Sequence, residues 1–421
     1  MLELKSGEKV SLTNGAEATV VKELGRGGQG IVYLVELGGQ KMALKWYLNK
    51  PTDWFYRNLE DNIAKGSPSE AFLWPEYLTM KKQGYFGYIM KLRPQGYYEF
   101  GQYLLARAKF KSLDAIVNAA MKICEGFKAL HLSGLSYQDL NDGNFFIHPE
   151  TGDVLICDND NVAPEGENSG ILGKARYMAP EVVTGTKMPS KQTDRYSLSV
   201  VLFLLFYGNH PLEGARVLAC PCMTEKYEKQ FYGSDAIFIY DPQNKSNLPV
   251  RGVHNNVMRK WPAFPELLRT AFVREFSQEC LTNPDKRCLE RDWQKTIQKV
   301  RDMLVVCPLC KEETFVENAQ SPRCVCCGNE FNVTGTLKIN DRHVLLTADT
   351  KVYIDMDNKP DIHVISVPGH RYPVQLKNIT SSNWTVETPS GKLKAVEPNQ
   401  SMPVKAGLKI SFSGTIKGEI I

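Results

Sequence analysis

The chain has no apolar stretch long enough to cross a membrane. Its longest, residues 198–207, is about half the ~20 residues a membrane helix needs, and predicts a buried helix instead. The first residues, Met1-Leu2-Glu3-Leu4-Lys5, lack the apolar segment of a secretory signal. Charge of neither sign dominates. With 51 Lys and Arg against 47 Asp and Glu, the chain carries +4 over 421 residues, too little to argue for nucleic acid or an acidic membrane as partner. Internal repeats and low-complexity tracts are missing as well. Without a secretory signal, the eleven cysteines do not read as a disulfide framework. These absences predict a cytoplasmic protein of ordinary composition, and the length predicts two or three domains.

The pattern changes along the chain. Residues 17–24 and 31–36, rich in Val, Leu and Tyr around a glycine turn, predict a hairpin, with further strands at 42–47 and 87–92. Phe55, Leu59 and Ile63 recur at helical spacing and predict one helix over 53–65. From about residue 100 the pattern is helical, over 104–110, 113–132, 194–207 and 265–280, ending near 304. Residues 336–421 alternate Val, Ile and Leu with polar residues among many Gly, Pro, Asn and Ser, which predicts short antiparallel strands. The expected class is α+β. A two-lobed unit spans 1–304 (lobes 1–93 and 94–304), then a cysteine module 305–335 and a small all-β module 336–421.

Five short motifs punctuate the two-lobed unit. They are Gly25-Arg26-Gly27-Gly28-Gln29-Gly30-Ile31-Val32, then Ala43-Leu44-Lys45, then Tyr137-Gln138-Asp139-Leu140-Asn141-Asp142-Gly143-Asn144, then Asp158 after the apolar run Val154-Leu155-Ile156-Cys157, and last Ala179-Pro180-Glu181. Each alone is weak: the glycines fit a plain hairpin turn, and the Asp and Asn residues fit an Asx-rich turn. Their joint order and spacing is not explained that way. In this order they resemble the eukaryotic-like (Hanks-type) serine/threonine protein kinases, over roughly residues 15–300. The resemblance implies the bilobal protein-kinase fold and transfer of the γ-phosphate of ATP to Ser or Thr hydroxyls of protein substrates.

Site residues follow from it motif by motif. Gly25, Gly27 and Gly30, on a strand–turn–strand, would let the backbone lie close over the triphosphate. Val32 and Ala43 would enclose the adenine, with Met90 and Leu92 at the hinge. Lys45 lies in an apolar strand, where an unpaired charge is costly, and would meet phosphate and a carboxylate of the following helix. Glu60 is the expected partner; Glu70 and Glu76 stand beside Pro68 and Pro75, which interrupt helix. Asp139 would be the catalytic base, and Asn144 and Asp158 would bind Mg²⁺ or Mn²⁺. Glu181 would pair with Arg287, and Asp194 would hold the catalytic-loop backbone.

Several positions depart from the family pattern. Gln138 stands where an arginine usually receives an activation-segment phosphate, and Asn141 where a lysine usually steadies the transferring phosphate. Asp158 is followed by Asn159-Asp160 rather than Phe-Gly, and Lys174 stands where a threonine is usual. Lys174 is a candidate to supply the positive charge that Asn141 lacks. Ser169 and Tyr177 are the only hydroxyl side chains between Asp158 and Glu181, so activity is expected without phosphorylation there. Two other readings stay open, a small-molecule phosphotransferase of kinase-like fold and an ATP-binding scaffold without turnover.

Beyond the lobes, Cys307-Pro308-Leu309-Cys310 and Cys324-Val325-Cys326-Cys327-Gly328 are thirteen residues apart. Two such knuckles predict a closed, structural Zn²⁺ site made by Cys307, Cys310, Cys324 and Cys327, with Cys326 left out; a disulfide pair or buried thiols are the alternatives. The layout of kinase, zinc ribbon and β tail resembles bacterial kinases found with a metal-dependent phosphatase and a von Willebrand-type domain protein in tellurite-resistance systems. That resemblance rests on Phe72-Leu73-Trp74-Pro75, Gly87-Tyr88-Ile89-Met90 and the loop at 139–144, and it implies those two proteins as partners. In the tail, Asn378, Trp384, Pro403 and Gly407 fit either turn and core positions or a binding face.

Overall fold

A computed structural model of the chain describes residues 2–168, 170, 173–357 and 359–421. The first lobe is an antiparallel sheet. Strands β1 (Lys9–Ser11), β2 (Glu17–Arg26), β3 (Gly30–Leu37), β4 (Gln40–Tyr47), β5 (Pro75–Leu78) and β6 (Gly87–Lys91) lie in the order β1-β2-β3-β4-β6-β5. Gly38 and Gly39, at φ 57° and 80°, form the two-residue turn between β3 and β4 that only residues tolerant of left-handed backbone make well. Alternation splits β4 between two cores. Met42, Leu44 and Trp46 face a core with Val20, Ile31 and Val35, whereas Ala43 and Tyr47 face helix α1 (Asp53–Lys65) and a core with Leu59, Tyr88 and Met90. Lys45 shares this second face by strand periodicity. Helix α1 starts at Thr52, whose hydroxyl accepts from the Phe55 N–H, and stops at Gly66, φ 77°.

The second lobe is built round α3 (Leu113–Leu132) and α5 (Lys191–Tyr207). Before them come β7 (Tyr98–Glu99) and α2 (Phe100–Leu104); between them lie β8 (Leu135–Ser136), β9 (Phe145–Ile147), β10 (Val154–Ile156), β11 (Ala163–Pro164) and α4 (Pro180–Val183). Residues 198–207 are buried all round, which is why that stretch has no polar face to read. Two predicted helices differ in the structure. In place of 104–110, the helix is Phe100–Leu104; Ala106 turns to φ 57° and the N–H groups of Arg107 and Ala108 both reach the Gln102 carbonyl. In place of 265–280 there are two, Glu266–Glu275 and Gln278–Thr282, because the Ser277 side chain caps a fresh start. Among the described residues, no helix is long and apolar enough to cross a membrane.

After the helix Glu290–Asp302 comes a hairpin of β12 (Leu304–Val306) and β13 (Glu313–Phe315), whose connection carries the first cysteine knuckle, and then the second knuckle. The last unit stacks two antiparallel sheets. Its strands are β14 (Gly335–Ile339), β15 (Arg342–Leu346), β16 (Lys351–Val352), β17 (Ile362–Ser366), β18 (Val374–Asn378), β19 (Trp384–Glu387), β20 (Leu393–Val396), β21 (Ser401–Pro403), β22 (Lys409–Ser411) and β23 (Lys417–Ile420). They pair as β15-β14-β23-β22-β19-β20 and β16-β17-β18-β21 around one core. Trp384 is in that core, and buried Asn378 donates to the Ser382 and Val396 carbonyls; both are framework residues.

Charged groups clasp this unit to the second lobe. Arg342 grips Asp302 with two bonds, 2.6 and 2.8 Å. The Tyr353 hydroxyl reaches Asp114 at 2.8 Å, with Lys351 at 3.2 Å from the same carboxylate. Arg301 donates to the Asp357 carbonyl and to Asn118, at 2.8 and 2.9 Å, and lies over the Tyr353 ring. Burial lifts Asp302 above its ordinary carboxylate pKa despite the arginine. Arg342→Ala should therefore strand a buried carboxylate and destabilise the chain by about 3 kcal/mol. Urea unfolding of the full chain checks this against Lys9→Ala, which breaks only an exposed pair with Glu17; equal midpoints for the two variants would refute it.

Candidate active site

The cleft between the lobes gathers most of the expected residues. Gly27 N–H bonds to the Gly30 carbonyl and closes the turn between β2 and β3. Gly25 and Gly27 border open space, whereas a Cβ at Gly30 would meet the Trp46 carbonyl oxygen at 2.6 Å. Gly30 is thus needed for strand packing as well as for the turn. Ala43 and Met90, cross-strand partners, join half-buried Val32, Leu92, Leu155 and Cys157 in one apolar cluster. Lys45 ends in a carboxylate pair, with its Nζ 3.2 Å from Asp158 and 2.8 Å from Asp160. The expected Lys45–Glu60 pair does not form. Glu60 is exposed, and α1 turns Asn58 and Asn62 inward instead. Sequence reasoning missed Asp160. Its one signal was a second carboxylate two residues after Asp158.

The catalytic-loop residues converge. Buried Asp194 accepts from the N–H groups of Tyr137, at 2.6 Å, and Gln138, at 3.0 Å. Gln138 adopts φ 72° and Asp158 φ 53°, left-handed positions that such anchoring supports. The Tyr137 hydroxyl donates to the Cys157 carbonyl and ties the loop to the residue before Asp158. Asn144 donates to the Asp139 carbonyl at 2.7 Å, which leaves its amide oxygen as a potential ligand. That oxygen and the half-exposed Asp158 carboxylate are hard donors of the kind Mg²⁺ takes beside phosphate. Burial pushes the Asp139 carboxyl up to about 6, opposed by a hydrogen bond from Asn141, with the Asp158 charge adding to the rise. Asn141 spans the loop: its Nδ2 is 3.2 Å from Asp139 Oδ1, and its Oδ1 accepts from Lys174 Nζ at 3.0 Å.

The protein kinase domain family matches residues 18–288, more than half of the chain. The chain belongs to the protein kinase family. It is 28% identical to protein kinase C delta type of Rattus norvegicus over 207 residues, which is 47% of this chain and 30% of the relative. It is 28% identical to the probable serine/threonine-protein kinase PknB of Corynebacterium glutamicum over 153 residues, 35% of this chain and 23% of the relative. It is 27% identical to ribosomal protein S6 kinase alpha-4 of Mus musculus over 226 residues, 50% and 28% respectively. The chain thus spans less than a third of the length of these curated relatives.

In this kinase domain the segment after Asp158 is fastened at several points. The Arg287 guanidinium holds Glu181 with two bonds of 2.8 Å, and its side chain is 1% exposed. Arg176 and Tyr232 both bind Glu213, and against burial His210 beside it, then these two partners, hold its carboxyl down to about 2. Gln138 donates to the Glu167 carbonyl at 2.7 Å and accepts from Asn168 at 2.9 Å. A neutral amide thereby fastens backbone where the family has an arginine for phosphate. Tyr177 is buried; Ser169 lies outside the described residues.

The two cysteine knuckles meet. The sulfurs of Cys307, Cys310, Cys324 and Cys327 lie within 4.8 Å of one another, all unbridged, and Cys326 is exposed outside the group. Each knuckle closes on a left-handed residue after its second cysteine, Lys311 at φ 64° and Gly328 at φ 72°. Gln138→Ala removes two fastenings of the segment after Asp158. It should speed amide hydrogen exchange around residues 165–168 by about tenfold, with the global melting temperature held. Unchanged exchange would show that Gln138 holds nothing there.

Proposed function

We propose that this chain is an ATP-dependent kinase that transfers the γ-phosphate to Ser or Thr hydroxyls of protein substrates. The observation that carries this is the convergence of Asp139, Asn144, Asp158 and Lys45 in one cleft beside a segment closed by Glu181 and Arg287. Asp139 accepts the proton of the substrate hydroxyl; a carboxyl pushed up to about 6 is ionised at neutral pH yet basic enough to help. Asn144 and Asp158 would hold Mg²⁺, which neutralises phosphate charge when bound. Lys45 faces the phosphates from the first lobe. Val32, Ala43, Met90 and Leu92 hold the adenine between apolar walls. Lys174 supplies the cation that the catalytic loop lacks, since its Nζ sits on Asn141, one residue from the base in space. The fastened segment from Asp158 to Glu181 favours a protein substrate over a small metabolite, because it forms a built platform beside Asp139.

The cysteine cluster is proposed as a structural Zn²⁺ site. Four thiolates at ~2.3 Å from one Zn²⁺ stand roughly 3.8 Å apart, and the pairs Cys310–Cys324 and Cys307–Cys327 lie at 3.6 and 4.0 Å. All four positions are filled by protein, so the metal would take no part in chemistry. The β module is proposed to recruit partners, with a phosphatase and a von Willebrand-type protein as candidates by resemblance. The kinase domain acts in the cytoplasm on this reading.

Two tests follow. Asp139→Asn should lower transfer to protein by at least ~10²-fold while nucleotide still binds, and wild-type kcat/KM should fall as pH drops through about 6, where the base becomes protonated. Lys174 favours the ionised base, so Lys174→Ala should move that acid limb to higher pH and Lys174→Arg should restore it. A flat profile down to pH 5, or full activity of Asp139→Asn, would contradict the assignment. Separately, elemental analysis should find about one Zn²⁺ per chain. Cys307→Ser should release it and loosen the region after residue 305, and Cys326→Ser should do neither; equal loss in both would refute the ligand set.

A further inference from the structure

One buried carboxylate has no part in the chemistry so far. Asp160 is completely buried. One of its oxygens takes both Lys45 Nζ at 2.8 Å and the Tyr47 hydroxyl at 2.5 Å. The turn that carries it, Asn159–Asn161, is held from two sides. Asn159 donates to the Leu73 carbonyl at 2.8 Å, and both Asn58 and Asn62 of α1 donate to the Val162 carbonyl at 2.8 Å. The inward polar groups of α1 are therefore amides, and they fasten backbone rather than meet Lys45.

We propose that Asp160 is the positioning residue that holds Lys45 for the nucleotide phosphates, in the role first expected of a carboxylate on α1. This rests on the kinase reading above. The two carboxylates at Lys45 divide the work. Asp158 is 47% exposed and the more distant, so it can turn to the cleft; Asp160 is buried and closer, so it keeps the lysine. Because Asp160 is two residues from Asp158, the lysine and the metal-facing carboxylate belong to one rigid unit. A helix shift that would part a lysine from a helix carboxylate leaves this pair intact. A charge pair closed off from water is held far more firmly than one at the surface.

A double-mutant cycle tests this on the full chain, because a residue acting through Lys45 loses its effect once Lys45 is gone. Two quantities are read: calorimetric affinity for Mg²⁺ with adenylyl imidodiphosphate, and kcat/KM for transfer to protein. Asp160→Asn should weaken analogue binding about tenfold, yet cost less than about threefold further in a Lys45→Met background. Glu60→Gln should change neither quantity. Additive losses in the cycle, or a Glu60→Gln variant as poor as Asp160→Asn, would overturn the proposal. If Asp160→Asn does not fold, Tyr47→Phe removes one donor to Asp160; its smaller loss should likewise vanish beside Lys45→Met, and persistence of that loss would count against the proposal. A wild-type chain that binds the analogue with this coupling but phosphorylates no protein would fail the kinase reading alone.

Discussion

The catalytic loop depends on a carboxylate that does no chemistry. Asp194, at the start of α5, takes two successive backbone N–H groups, those of Tyr137 and Gln138. Burying that charge needs compensation. His131 supplies it, bonded to Asp194 and, through its other nitrogen, to Glu290, which Arg195 also holds. Burial works against a charged imidazole, but the two carboxylates outweigh it and raise the His131 pKa. The strand of charge from α5 to α3 to the helix Glu290–Asp302 thus fixes the loop from below. Residue 138 can then sit in the left-handed region.

With the loop fixed, two charges have moved between elements without leaving the site. The family places a lysine on the catalytic loop and a threonine on the segment after the metal-binding aspartate. Here the loop has Asn141 and the segment has Lys174, and the two side chains meet at 3.0 Å. The other exchange concerns Lys45, which meets Asp160 rather than a carboxylate of α1. In both cases a charge of the same sign reaches the same neighbourhood while its backbone attachment changes. Electrostatics constrains where a charge sits in space and is indifferent to which element delivers it.

This is also why the sequence was legible in some places and not in others. The order of motifs located the cleft because glycine turns, buried lysines and Asx-rich loops each have local signatures. The cysteine cluster was legible for the same reason, including the exclusion of Cys326 by spacing. Glu60 failed because matching it to Lys45 relied on distance along the chain rather than on helix face. Phe55 and Leu59 mark the inward face of α1, and Glu60 lies ~100° further round; Asn58 and Asn62 share the inward face and are buried. Asp160 was not legible, because nothing local marks a carboxylate as the partner of a lysine more than a hundred residues away. The tail was legible as β structure from alternation, but the packing of its two sheets, and the clasp of Arg342 and Asp302, depend on contacts that no short window contains.

The relocated charges have a common destination. Asp158, Asp160 and Lys174 all belong to one stretch that ends at Glu181. In this chain that stretch therefore carries both carboxylates that meet Lys45 and the lysine that meets Asn141. Its order decides all three at once. The contacts that order it are the Asn58 and Asn62 amides on Val162, the Gln138 amide on Glu167, the Glu165 side chain on the Lys191 N–H, and the pairs Arg176–Glu213 and Arg287–Glu181. None of these contacts requires a phosphate group. Among the described residues of this stretch, amides and ion pairs do the fastening, and Arg287–Glu181 is the buried pair while Arg176–Glu213 is partly exposed.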